Sequence, residues 1–370
     1  MGSRPVSGSI AAWLLPVLIK RPVFLRKTPD LPIIAAVDAL SDALRVLRLT
    51  GAVFIDSEFT APWCVQSQSH DPGSPVSGPN VVFFHVLTEG HCKARLASGG
   101  ETLDFAAGDL VMLPRDDPHL LGSDLRLTPT PADSLLQPAA SGELMRIEHG
   151  GGGEKTRLIC GFLRCDQRLC GPMLESLPRL LRVPLGEEAG AAWLTSLLHA
   201  GTRESSAPRP GGETVLAKLS ELLFVEALRR YIELLPDEQK GWLAGLRDRF
   251  VGRALALMHE DPAHDWTVEE LAGRVGASRS SLAQRFSDLL GQAPMQYLTR
   301  WRLTIAAQRL RDERVSLARL AADSGYESEA AFNRAFKRAL GATPGAWRKA
   351  KAERRKGRLY RQDAKTAKDS

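Results

Sequence analysis

The chain has 370 residues, 44% of them hydrophobic, and a net charge of +6 at pH 7. That length has room for two or more domains with cores of their own, and five cysteines are few for it and follow no disulfide-scaffold pattern. The charge is uneven: from Trp347 onward ten Lys and Arg stand against three Asp and Glu, a local +7 that leaves the remainder near −1.

Residues 1–36 are rich in proline, and their apolar run from Ile10 to Ile19 contains Pro16 and is too short to span a bilayer. Without a strong basic start or an A-x-A-like cleavage site it does not read as a signal peptide, so a disordered extension with no membrane role is expected. The sparse cysteines suit a reducing cytoplasm. A short helix is expected over 38–49. Short β-type runs separated by Gly, Pro and Asp follow at 52–59, 81–87, 91–97, 101–105, 110–113, 144–147 and 157–162, which predicts a sandwich or barrel over 37–171.

Within these strands Gly108-Asp109-Leu-Val-Met-Leu-Pro114 with His119, and His85-Val-Leu-Thr-Glu-Gly90, resemble the half-motifs of cupins, although the usual H-x-H pair is absent. The resemblance implies a small β-barrel whose interior holds a ligand or a metal. Alternation along the strand puts His85 on one face with Phe83 and Leu87, pointing inward. A metal needs further donors, for which Cys160 and Cys64 are the candidates; His85, His119, Cys160 and Cys64 would suit zinc or another divalent metal. The competing reading makes the histidines hydrogen-bonded interior groups and the cysteines small buried hydrophobes. Cys160, Cys165 and Cys170, spaced by five, are a candidate redox trio of neither C-x-x-C nor zinc-ribbon type.

Residues 172–245 read as a helical connector broken by a polar loop at 204–212. Leu216, Leu219, Leu223, Leu228, Tyr231 and Leu235 form a broad apolar stripe along it. Such a stripe packs on its own domain or joins two subunits, and a homodimer is expected.

The last third repeats itself. Leu271, Ala272 and Gly276 recur 49 residues later as Leu320, Ala321 and Gly325, and Leu282, Phe286, Gly291, Pro294 and Tyr297 recur 50 residues later as Phe332, Phe336, Gly341, Pro344 and Trp347. In the first copy Thr267 caps a helix to Val275, Gly276 ends it, and Ser278 caps a second helix with Leu282, Phe286, Leu289 and Leu290 on one face. Helix, glycine turn and helix make a helix-turn-helix. The second copy runs from Ser316 through Gly325 to a helix from Ser328 to Leu340. Turning each second helix by 100° per residue sends Ser280, Gln284 and Ser287, and Ala330, Arg334 and Lys337, outward, with Arg279, Glu329 and Asn333 at the flanks. A connecting helix over 294–310 would hold two such helices for successive major-groove faces, which recur every ~34 Å.

Thr267-Val-Glu-Glu-Leu-Ala, Ser278-Arg-Ser-Ser-Leu, Pro294-Met-Gln-Tyr-Leu, Gly325-Tyr-Glu-Ser-Glu-Ala-Ala-Phe and Pro344-Gly-Ala-Trp-Arg resemble the DNA-binding domain of AraC/XylS-type transcription regulators. The resemblance implies base-reading positions at Ser280, Ala283 and Gln284 in the first motif and at Glu329, Ala330, Ala331 and Arg334 in the second, beside the cap Ser328. Short side chains at several of them leave Arg279, Gln284 and Arg334 to carry most direct readout. The expected whole is a multidomain α+β protein: extension 1–36, cupin-like sensor 37–171, helical connector 172–245, double helix-turn-helix 246–349 and basic tail 350–370. Its expected partners are double-stranded DNA, a small-molecule, metal or oxidant effector, a second copy and RNA polymerase. The rival readings are a metal-dependent cupin enzyme fused to a DNA-binding segment and a cysteine-based redox regulator. Against the enzyme, the three-histidine and carboxylate set is incomplete, and no Ser-His-Asp spacing or phosphate loop is present.

Overall fold

A computed structural model describes residues 38–47, 54–67, 81–137, 145–164, 167–185, 210–312 and 315–349. The expected extension, Cys165 and the basic tail lie outside the described residues.

Helix α1 (Ala39–Leu47) opens the described part, its first turn closed by Ser41 N donating to Asp38 Oδ1 at 2.9 Å. Eleven described strands follow: β1 (Phe54–Thr60), β2 (Cys64–Ser67), β3 (Val81–Glu89), β4 (His91–Leu96), β5 (Leu103–Ala106), β6 (Asp109–Leu113), β7 (His119–Gly122), β8 (Thr130–Pro131), β9 (Met145–Gly150), β10 (Lys155–Arg164) and β11 (Leu181–Pro184). They form two sheets, one ordered β11-β6-β3-β10-β1-β9 and the other β5-β4-β7-β2-β8. Of the sandwich or barrel expected, the described residues form paired strands in two sheets, and no closed barrel is found among them. A hydrophobic core lies between the sheets, with Trp63, Leu87, Phe105, Leu113 and Leu158 all at most 2% exposed.

Strand β3 shows how the sequence builds this. Phe83, His85 and Leu87 face the other sheet, whereas Val82, Phe84 and Val86 join a second core with the helices. The β3–β4 turn needs a glycine: Gly90 has φ +75, and a Cβ there would stand 2.2 Å from Lys155 O.

Four further helices link the sheets to the C-terminal region: α2 (Gln167–Glu175), α3 (Gly212–Leu234), α4 (Trp242–Arg247) and α5 (Val251–Glu260). The connector is not wholly helical, because β11 pairs antiparallel with β6 from Leu181↔Met112 to Pro184↔Asp109. Its buried Leu181 and Val183 alternate with exposed Arg182 and Pro184, a period of two too short to stand out beside the prolines. The stripe on α3 packs on β10 and β11, with Leu223 and Leu228 at most 2% exposed, while Val215 and Leu222 stand outside at 47% and 44%.

The C-terminal region consists of α6 (Val268–Val275), α7 (Arg279–Leu290), α8 (Pro294–Asp312), α9 (Leu317–Asp323), α10 (Glu329–Leu340) and a last helical turn over 344–349. No described helix is long and apolar enough to cross a membrane.

Candidate nucleic-acid interface

Each helix-turn-helix is made by the same local chemistry. Thr267 Oγ1 accepts from Glu270 N at 3.1 Å to start α6, and Ser278 Oγ accepts from Ser281 N at 3.2 Å to start α7. Between them Gly276 takes φ +78, and Ala277 N returns to Ala272 O at 2.9 Å. The second copy repeats this with Ser316 capping α9, Gly325 at φ +77, Tyr326 N on Ala321 O at 2.9 Å and Ser328 capping α10.

The repeated aromatic anchors also keep their geometry. Phe286 meets Tyr297 edge-on at 5.7 Å, and Phe336 meets Trp347 edge-on at 5.9 Å. Helix α8 staples the two units together. Arg302 donates to Pro262 O and His264 O at 2.6 and 2.7 Å on the first side; Arg309 reaches Asp323 and Ala307 O accepts from Trp347 Nε1 on the second.

The outer faces of α7 and α10 differ. On α7, Arg279, Ser280 and Gln284 are exposed and Ala283 and Ser287 half-buried. The long side chains among them are occupied: Arg279 Nε pairs with Glu269 Oε1 at 2.5 Å, and Gln284 Nε2 donates to Asp288 Oδ1 at 2.8 Å. On α10, Ser328, Glu329, Ala330, Arg334 and Lys337 are exposed, with Ala331 and Asn333 half-buried. Among the described residues Arg334 and Lys337 make no ion pair, and exposed Arg338 extends their cationic surface. The sequence reading missed Glu269 and Asp288. Asp288 sits at i+4 from Gln284, a spacing that signals side-chain contact on a helix; Glu269 lies on another helix, and no spacing points to it.

Helix α7 is also tied to the connector. Gly241 N donates to Leu289 O at 2.8 Å, and a Cβ on Gly245 would stand 2.6 Å from Leu290. Asp248 accepts from Phe250 N, Val251 N and Arg285 at 2.9 to 3.0 Å; burial alone would raise its pKa, but these donors outweigh it and lower it.

Between the sheets, His85 and His119 do come together, their Nε2 atoms 2.9 Å apart. His119 Nδ1 lies 3.0 Å from Asp117 O, which can only accept, so Nδ1 carries the hydrogen and the bare Nε2 accepts from His85. His85 Nδ1 is then a buried lone pair without a partner. Burial holds His119 down at about 4 and His85 well below the usual imidazole range, with the neighbouring ring adding to the effect on His85.

The four residues expected as metal donors do not gather among the described residues. Cys160 is the register neighbour of His85 but its thiol sits 3.8 Å from Ser57 Oγ, and Cys64 lies on β2 opposite Gly122. Among the described residues no three His, Cys, Asp or Glu side chains gather to hold a metal ion. Two imidazoles bonded to one another do not fit a tetrahedral zinc site. Of the expected redox trio, Cys165 lies outside the described residues, Cys160 belongs to the core between the sheets and Cys170 to the helical core on the other side of the sheet. Burial pushes the Cys92 and Cys160 thiols up to about 12, so both are unreactive thiols near neutral pH.

Residues 38–233 match the family described as Cupin, and 271–350 match the family described as Helix-turn-helix domain. A putative AraC-like transcription regulator of Streptomyces antibioticus is 35% identical over 297 residues, 77% of this chain and 95% of that relative. This chain belongs to the AraC-like transcription regulators. A second AraC-like relative, from Streptomyces lividans, is 35% identical over 313 residues, 84% of this chain and 98% of its own length. The RCS-specific HTH-type transcriptional activator RclR of Escherichia coli K12 is 32% identical over 270 residues, 73% of this chain and 84% of its own. As an AraC-like regulator the protein binds double-stranded DNA and regulates transcription through the paired motifs built on α6–α7 and α9–α10.

Proposed function

We propose that the AraC-like regulator reads its operator through α7 and α10 as recognition helices, with α10 as the stronger anchor, and that an effector held by the cupin-like part controls this reading. The observation that carries the first half is the contrast between Arg334 and Lys337 on α10, without an ion-pair partner among the described residues, and the acid-bound Arg279 and Gln284 on α7. An arginine projecting from a recognition helix can bond guanine at two atoms, whereas a lysine farther along the helix meets phosphate.

Two buried polar atoms support the second half: His85 Nδ1 offers a lone pair and Trp63 Nε1 a hydrogen, neither with a partner among the described residues. A small molecule with complementary groups would satisfy both, and its preference for one arrangement sets how far it shifts DNA binding. The proposal assigns no catalytic or metal role to this region. It places the sensor boundary beyond β11 and uses the outer face of α3, around Val215 and Leu222, for pairing two copies.

The test compares Arg334→Ala with Lys337→Ala on a duplex from the gene's own upstream region. Arg334→Ala should cost ~1 to 3 kcal/mol and relax preference at one base position, and Lys337→Ala should weaken all sequences alike and flatten the salt dependence. Identical behaviour of the two variants contradicts the assignment.

A further inference from the structure

The start of α5 breaks the local rules of helix charge. Arg249 and Arg253, four residues apart and so on one helical face, are both exposed, and neither has an ion-pair partner among the described residues. Like charges at that spacing repel, and cations at the beginning of a helix oppose its dipole. Asp248 does not relieve them, because its carboxylate is engaged by Phe250 N, Val251 N and Arg285, at 2.9, 2.9 and 3.0 Å. Arg249 instead lies over the Phe250 ring at 4.6 Å, and Arg285 of α7 lies 5.6 Å from the same ring. Two guanidinium groups thus share one aromatic side chain, and Arg253 adds a third charge one turn on from Arg249. The N–H groups of Phe250, Val251 and Gly252 are taken by Asp248, so this cationic surface is made of side chains alone. Local rules are broken in this way where a surface serves a partner, and clustered arginines fit phosphate.

The position beside α7 selects the partner. Counting ~100° per residue from the buried Leu282 puts Arg279 and Arg285 about 60° to either side of the buried direction, on opposite flanks of the helix. Glu269 of α6 meets the first flank through Arg279, and the start of α5 meets the second through Arg285. A helix with its side chains is about 10 to 12 Å across and the major groove ~12 Å wide, so a recognition helix lying there has a phosphate strand along each flank. We propose that Arg249 and Arg253 bind the phosphodiester backbone of double-stranded DNA on the α5 side of the first motif, opposite the strand that α6 borders. This rests on α7 being a recognition helix and goes beyond it, since both arginines lie between the stretches that match the Cupin and Helix-turn-helix domain families. The first motif, whose own arginine and glutamine are held by acids, then takes a sequence-independent grip from outside the repeat.

The test measures anisotropy of the full chain on labelled duplexes across a range of salt, one from the gene's own upstream region and one of scrambled sequence and equal length. Arg249→Gln and Arg253→Gln should each flatten the log-log salt slope by about 0.9 on both duplexes and leave the ratio of the two affinities unchanged. Arg253→Lys should keep the parent slope, because a point charge suffices for this contact. Thermal melts should show both glutamine variants as stable as the parent or more so, since the repulsion is relieved; weaker binding by an equal or stronger fold is a result that a merely structural role does not give. Positions at which phosphate ethylation blocks the parent should be fewer for the double variant. Unchanged slopes in variants that melt normally overturn the proposal, and so does a loss confined to the upstream duplex, which makes the arginines readers of sequence. The Arg334 and Lys337 comparison reports on α10, so failure of the recognition-helix reading and failure here are told apart.

Discussion

Releasing Arg279 from Glu269 should strengthen DNA binding. The pair is at the surface, with side chains 70% and 60% exposed, so its attraction is screened and worth no more than about 0.5 to 1 kcal/mol. A base or phosphate contact by Arg279 must first spend that amount. Glu269→Gln removes the requirement and should tighten operator binding by about two- to fivefold. The substitution also takes a negative charge from the first turn of α6, which costs a few tenths of a kcal/mol of stability and is checked by melting. Fluorescence anisotropy on a labelled duplex at several salt concentrations is the assay. If the freed guanidinium lands on a phosphate, the log-log salt slope steepens by about 0.9; if it reads a base, the slope holds and the gain is confined to the preferred sequence. An equal gain in the Arg279→Ala background, or no gain in a protein that melts normally, refutes the reasoning, because the benefit would then not pass through Arg279.

Acid should destabilise the fold through His119. Its pKa is about 4 when folded against about 6.5 unfolded, so as pH falls below 6.5 the unfolded chain takes up a proton that the folded chain refuses. Urea titrations should lose about 2 kcal/mol from this group between about pH 7.5 and about pH 5, and His119→Gln should flatten the pH dependence by that amount; an unchanged slope counts against the buried neutral pair. The two turn glycines should differ on replacement. Gly276→Ala meets nothing within 4 Å and should cost only the left-handed backbone penalty of about 1 kcal/mol, whereas at Gly325 a Cβ also stands 3.1 Å from Arg302 Nη1, a guanidinium engaged with two carbonyls. Thermal melts should rank Gly325→Ala below Gly276→Ala, and the reverse order would contradict the packing argument.

The C-terminal region was legible because its determinants are local. Thr267, Ser278, Ser316 and Ser328 each cap a helix through an N–H three residues on, and Gly276 and Gly325 take the conformation that their side-chain absence allows. Period-two alternation likewise located β3, β4 and β10 and turned His85 inward. What was not legible depends on partners distant in sequence. β2, β7 and β11 are four residues each and acquire strand character only from neighbours such as β6. Whether Cys160 and Cys64 approach His85 and His119 is decided by strand register and side-chain direction, and residue type alone suggested a metal set that the register does not assemble. The occupation of Arg279 by Glu269 joins two helices whose relative placement no single-helix pattern encodes.

The two motifs are near copies in their cores and unlike in their surroundings, and that difference bears on how such a regulator is controlled. Both keep the same caps, the same glycine turn and the same edge-on aromatic pair. Of the two recognition helices, α7 is the one tied to the segment before the motifs among the described residues, through Leu289, Leu290 and the Arg285–Asp248 pair, and its arginine and glutamine are held by acids. On the proposed reading, a unit whose cations have no ion-pair partner among the described residues can hold DNA whether or not the sensor is engaged, and a unit with tethered readers and a packed connection to α4 can be moved by it. Because α8 is stapled to both units, a small displacement of α7 is transmitted as a change in the spacing of two recognition helices, to which binding across two successive groove faces is sensitive. On the proposed reading, regulation needs no unfolding of either motif: it is enough that the sensor positions one reading head while the other keeps its grip.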